Sequence, residues 1–285
     1  MTERLYKFMN MDVFKSFLEI PRLRVTPSWE QNDPFEFFNG ESTNCTDMRN
    51  LHGAISLCSN LYSAPMWAHY ADNHRGVVVE ILVNKKNPWS IFSKSYMPPE
   101  DSDFGFYEVI YRNLPYNFSH ATEKYIVKDR SWSYEHEQRF IVPFTYINGL
   151  ITTKTSINKI EEITGRRYKW RQERDDSEFY ETDQTLVSDL VNIDPNLLLR
   201  IFLESRNNNT MFFLNLNTGI PGSSTGCLGK IYAGYKTDTD ELREIINKSH
   251  SYASNIYQSI TSNNYQNIEK IHWNPEHQKI SLKGI

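Results

Sequence analysis

The stretch Ser131–Ile147 reads SWSYEHEQRFIVPFTYI, and the fold is decided by whether it is a strand. Phe140, Val142, Phe144 and Tyr146 recur at every second residue among β-branched and aromatic neighbours, which is the period of a half-buried β-strand. On the opposite face the same spacing aligns Glu135, Glu137 and Arg139 before Ile141 continues the line as a hydrophobe. Two carboxylates and a guanidinium then share one side of one strand, either as a solvated edge or as the floor of a site. A helix over the same residues would instead make Glu135 and Arg139 an ordinary surface ion pair one turn apart.

Outward from this stretch, elements alternate without a regular βαβ rhythm. Arg4–Phe8 is a short strand, Asn10 caps a helix over Met11–Ile20, and Leu23–Thr26 returns as a strand. Gly53–Cys58 is apolar enough for a buried strand. Pro65 opens a helical segment carrying Trp67, His69 and Tyr70, and Gly76 precedes the β-branched run Val77–Val83. Tyr107–Tyr111 is a strand and Tyr116–Asp129 a helix. Residues 148–209 are polar and charge-dense, with helical apolar spacing over Leu186–Leu203, and are expected to form a helical insertion. Lys230–Tyr235, Thr237–Ser249 and Ile268–Ile280 supply a strand, a helix and terminal strands. The expectation is a single α+β domain over residues 1–285, with a mixed, mostly antiparallel central sheet and flanking helices.

A chain of 285 residues can bury a sizeable core, and its net charge of −4 provides no global basic field for non-specific nucleic-acid binding. The three cysteines, Cys45, Cys58 and Cys227, have neither disulfide nor zinc spacing, which fits a reducing cytoplasm. No signal-peptide run and no apolar run of about eighteen residues occurs, so no membrane anchor is expected.

A carboxylate facing a reacting sugar carbon stabilises an oxocarbenium-like transition state, which is the chemical reading of Glu135 and Glu137. A salt-bridge ladder is the structural one. His69 and His74 lie five residues apart and diverge on a helix, so no metal site is expected. His69 and Tyr70 are hydrogen-bonding members of a pocket, or Trp67 and Tyr70 are core. Asn32 and Asp33, before Pro34, are turn residues that can also hold a loop over a ligand. The run GSSTGCLGK at Gly222–Lys230 lacks the glycine spacing of a phosphate loop. The basic cluster Arg166–Arg174 reads as a solvated helix face rather than a nucleic-acid contact.

Several segments taken together are more specific. LYKF at Leu5–Phe8, PSWEQNDPFE at Pro27–Glu36, ISLCS and MWAHYADNHRGVVVEI within Ile55–Ile81, WSYEHEQRF at Trp132–Phe140 and KIYAGY at Lys230–Tyr235 resemble, in order, the bacterial family called domain of unknown function 2971. A weaker resemblance is to ADP-ribosyltransferases, with Lys7 and Tyr6 on the first strand, His69 or Tyr70 on a following helix, and Glu135 and Glu137 as the late E-x-E pair. The second resemblance implies NAD as substrate and an ADP-ribosyltransferase-like fold. Glu137 would stabilise the ribosyl cation, Glu135 would assist, and Trp67, His69, Tyr70 and Trp132 would wall the nicotinamide pocket. Arg139 would hold the carboxylates in place. It further implies a protein or nucleic-acid acceptor and a toxin or phage-defence effector with an antitoxin-like or defence-system partner. The alternative is a non-enzymatic binding module with a structural Glu/Arg network.

Overall fold

Asn10 separates the first strand from the first helix because its side-chain oxygen accepts the Val13 N–H at 2.8 Å, satisfying one of the free donors of the first turn. The computed structural model describes residues 2–27, 30–33, 52–93, 105–113, 123–172, 179–182, 210–218, 226–249, 268–274 and 279–284. In chain order the strands and helices are β1 (Thr2–Met9), α1 (Met11–Glu19), β2 (Arg22–Pro27), β3 (His52–Cys58), α2 (Ala64–Tyr70), β4 (Val77–Asn84), β5 (Gly105–Glu108), β6 (Ile110–Arg112), α3 (Glu123–Ile126) and β7 (Val127–Asp129). They continue with β8 (Glu137–Pro143), β9 (Gly149–Thr153), α4 (Lys154–Thr164), β10 (Trp170–Gln172), β11 (Phe179–Thr182), β12 (Met211–Asn215), β13 (Leu228–Ala233), α5 (Thr239–Ser249), β14 (Ile268–Asn274) and β15 (Lys279–Gly284).

The protein is α+β with a mostly antiparallel sheet. One path runs β10-β11-β9-β12-β2-β3-β1-β4-β13-β14-β15, with β8 on β3 and β5 on β8; β13 and β14 are parallel, and β6 and β7 form a separate parallel pair. Alternation along the strands divides the side chains between two faces. Leu5, Met9, Leu57, Phe140 and Val142 enter the larger core with Phe14 and Phe17 of α1 and Leu242 and Ile246 of α5. Phe8, Cys58 and Val78 turn the other way and pack with Trp67 of α2 and Tyr232. No helix among the described residues is long and apolar enough to cross a membrane.

Four expectations change. The strand of the opening stretch begins only at Glu137; Arg130–Glu135 is a 3₁₀ turn, and Phe144–Tyr146 is another. The strand expected at Tyr107–Tyr111 is two, because Val109 breaks the ladder and gives its N–H to the Glu137 carbonyl at 3.0 Å. Helix within Tyr116–Asp129 is limited to α3 among the described residues, and β7 follows it. Residues 148–182 are not purely helical: β9 lies between β11 and β12, and among the described residues of this range only α4 is α-helix. GLITT becomes a strand because β12, some sixty residues later, covers its edge from Met211↔Ile151 to Phe213↔Gly149. Leu186–Leu203 lies outside the described residues.

Candidate functional site

β3 and β8 set the geometry. Their register partners Cys58 with Glu137, Ser56 with Arg139 and Ala54 with Ile141, so Glu137 and Arg139 project from one face beside Ser56. Asp129 caps the preceding 3₁₀ turn by accepting the Ser131 N–H at 2.9 Å. His136 then adopts a left-handed conformation, φ 43°, and turns the chain into β8. Glu135 is therefore delivered from a turn and Glu137 from a strand, yet both carboxylates meet one cation. Lys128 Nζ, on β7, donates to Glu135 Oε2 at 2.6 Å and to Glu137 Oε2 at 3.4 Å.

Glu137 is fully engaged. Arg139 Nε reaches its Oε1 at 2.8 Å and Arg139 Nη2 its Oε2 at 2.8 Å, a bidentate clamp, while Arg139 Nη1 donates to the Tyr125 carbonyl at 2.7 Å. Its backbone N–H goes to the Tyr111 hydroxyl at 2.9 Å. Glu137 is 3 % exposed and Arg139 0 %, so neither is open to solvent. Burial by itself would raise the Glu137 carboxyl, but the charges of Arg139 and Lys128 and hydrogen bonds from Ser56 and Arg139 hold it below the usual range.

Glu135 differs. Its Oε1 accepts the Tyr70 hydroxyl at 2.5 Å, and Asn32 Nδ2 donates to that same hydroxyl at 2.7 Å. Burial pushes its carboxyl up; Lys128 opposes this, and the neighbouring Glu137 charge adds to it. Desolvation also raises the Tyr70 phenol, with the Glu135 charge adding to the effect. The residues around this carboxylate lead outward: Tyr70, Trp132 and Tyr134 are half-buried, and His69 and Asn32 are exposed. His69 lies 5.9 Å from Tyr134 and 6.4 Å from Tyr70 between ring centres, Trp132 lies 6.1 Å from Tyr134, and Lys128 Nζ sits 4.9 Å from the Trp132 ring centre. The result is an aromatic rim over a desolvated carboxylate. Asp33, 2 % exposed, ties the Asn32 turn to this rim by accepting the Asp129 N–H at 3.3 Å.

The structure thus brings together Asn32, Asp33, His69, Tyr70, Trp132, Glu135, Glu137 and Arg139. It places three other expected residues elsewhere. Trp67 is core, with 0 % exposure, its indole N–H on the Leu61 carbonyl at 2.7 Å and its ring edge-on to Phe8, so it offers no pocket wall. Tyr6 pairs with Glu80 in the β1–β4 register and packs on Tyr232, whose hydroxyl donates to Glu80 at 3.2 Å; it leans on the same apolar cluster as Tyr70 and Tyr134 but on the Tyr232 side of it. Lys7 projects from the opposite face of β1, because its neighbour Tyr6 is partnered with Cys58 and Cys58 with Glu137. Its ammonium donates to the Ser56 carbonyl at 3.0 Å.

Lys128, Tyr111, Tyr125, Tyr134 and Ser56 complete the cluster without having been singled out in the sequence. No group of three metal-ligating side chains is present among the described residues. No family model, no curated protein and no solved structure matches the chain.

Proposed function

We propose that the Glu135 cluster binds NAD and that the protein is an ADP-ribosyltransferase-like enzyme, with Glu135 as the carboxylate nearest the dinucleotide. The observation that carries this reading is the desolvated Glu135 held between Tyr70 and Lys128 beneath the rim of His69, Trp132 and Tyr134. Aromatic faces accept a planar ring such as nicotinamide. A buried carboxylate below them stabilises the positive charge that grows on the ribose carbon as the N-glycosidic bond breaks and its electron pair leaves with nicotinamide. The nucleophilic atom of a protein or nucleic-acid acceptor, or of water, then forms the new bond to that carbon and gives up its proton.

The roles of the two carboxylates exchange relative to the sequence reading for a geometric reason. Both oxygens of Glu137 are clamped by Arg139, whereas Glu135 is held at Oε1 by a half-buried hydroxyl that a ligand hydroxyl can replace. Glu137 and Arg139 are positioning residues in this account, fixing Lys128 and hence Glu135. The chain order of β1, α2 and the late glutamates is the one the resemblance to ADP-ribosyltransferases implies, while Tyr6 and Lys7 of β1 lie away from Glu135; a toxin or phage-defence role follows from that resemblance alone.

A second reading has its own observation. The Arg139 clamp closes a network of two carboxylates and two cations that needs no ligand, as in a binding module that uses the cluster for shape. Incubation of the purified protein with NAD, with and without cell extract, separates them by chromatography of released nicotinamide. Nicotinamide accompanied by a thermal shift on adding NAD supports the enzyme; absence of both supports the module.

A further inference from the structure

β1 and β2 meet β3 at opposite ends, Tyr6 opposite Cys58 and Thr26–Pro27 opposite Ala54 and Gly53. Between those points the two strands splay, and α1, which joins them, covers the wedge. A cavity of about 270 Å³ lies there, walled by Met9, Phe17, Leu23, Ile151, Met211 and Phe213, with Asp12 and Ser16 of α1 also on its lining; the Asp12 carboxylate lies 3.7 Å from Lys15 Nζ. Val13, 51 % exposed, stands where it meets solvent.

Two cationic groups line this apolar space with donors to spare. Lys7 spends one of its three N–H bonds on the Ser56 carbonyl, and among the described residues no carboxylate lies within ion-pairing distance of it. Arg24 is tied to Glu30 through Nη2, but its Nε–H is buried without a partner. Arg22, by contrast, is neutralised by Glu181 at 2.6 Å and covers the Phe213 ring. An unpaired buried donor costs free energy until something accepts from it.

We propose that this cavity binds a small amphipathic carboxylate, its head on Lys7 Nζ beside the Arg24 guanidinium and its hydrocarbon body among the six apolar walls. The Lys7 ammonium, which has no ion-pair partner among the described residues, matches a monoanion. The volume lies just below the range of about 300–1,000 Å³ for ligand pockets, too small for a dinucleotide. Burial depresses the Lys7 ammonium against the opposing charges of Glu137 and Glu135, with the Arg24 charge adding to the effect, and an anion in the cavity relieves that penalty further. The cavity opens on the face of β1 opposite Glu137, so the assignment stands independently of NAD chemistry at Glu135.

Titration calorimetry of the full chain with octanoate, and with octanamide as its neutral isostere, tests it. One octanoate per chain is expected, with the amide at least about tenfold weaker because it lacks the charge-assisted bonds. Lys7→Met is expected to weaken octanoate about 10- to 100-fold while circular dichroism and thermal stability are retained. Val13→Trp, at the mouth and away from both cations, is expected to block both ligands; with octanamide it decides the matter should Lys7→Met fail to fold. Absence of octanoate binding, equal affinity for the amide, or binding that survives Val13→Trp overturns the assignment.

Discussion

Opposite faces of the same strands carry two polar groupings balanced in different ways. Around β8, Glu135 and Glu137 face Lys128 and Arg139, two charges of each sign, all at least nine-tenths buried and joined by short hydrogen bonds. Across β1, Lys7 and Arg24 line a largely apolar cavity; Arg24 is paired with Glu30, and Lys7 has no carboxylate within ion-pairing distance among the described residues. A closed network fixes geometry, and its members fail when one is removed. An ammonium without an ion-pair partner contributes little to the fold by itself and gains by taking up a ligand. Within the closed network the contrast repeats on a smaller scale, since Glu137 is clamped and Glu135 is shared with a half-buried tyrosine.

The largest effect is expected from Arg139→Met, which leaves Glu137 buried with only the longer ion pair to Lys128 at 3.4 Å among the described residues and should cost about 3–5 kcal/mol in urea unfolding. Glu137→Gln added to that variant should restore part of the loss; two independent, additive losses would mean that the residues are not one network. Tyr70→Phe removes the hydroxyl between Asn32 and Glu135 and should cost about 1–3 kcal/mol in urea unfolding. An unchanged variant would place Tyr70 outside the working part of the cluster.

Acid titration separates the two carboxylates by sign. Glu137 titrates below its ordinary value of 4.5, so its contribution to stability is complete above that pH and is lost as pH falls through the depressed value. Glu135 titrates above 4.5, so it favours the folded state increasingly as pH falls toward 4.5. Glu137→Gln should therefore flatten the acid limb of the stability profile, and Glu135→Gln should steepen the decline between neutral pH and 4.5. Identical profiles would erase the distinction. The smallest effect is expected on the other face: Lys7→Met should raise stability by no more than about 1 kcal/mol, because loss of a hydrogen bond worth about 0.5–1.5 kcal/mol is offset by removing a desolvated charge.

Local signals in the sequence were sufficient for β1, α1, β2, β3, α2 and β4, where the Asn10 cap, Pro65 and unbroken strand periods all act over a few residues. They were insufficient where tertiary pairing decides. His136 takes a positive φ with no glycine or asparagine to mark it, so the row of Glu135, Glu137 and Arg139 looked like one strand. Lys7 appeared to be a neighbour of Glu137 until the partnering of Tyr6 with Cys58 assigned it to the other face. Trp67 carried the same aromatic signal as Trp132, but the Leu61 carbonyl and Phe8 draw it into the core. Lys128 was hidden in a segment with helical appearance, although its spacing from Glu135 and Glu137 in space is what joins them.

The most direct test of NAD chemistry at Glu135 is nicotinamide release from NAD by the purified protein, compared with Glu135→Gln under conditions where both are folded by circular dichroism. The wild type should release nicotinamide, and Glu135→Gln should lower the rate by on the order of 10²-fold or more, the scale expected for loss of one transition-state electrostatic contact. No release by the wild type together with no thermal shift on NAD, or an undiminished rate in Glu135→Gln, would contradict it.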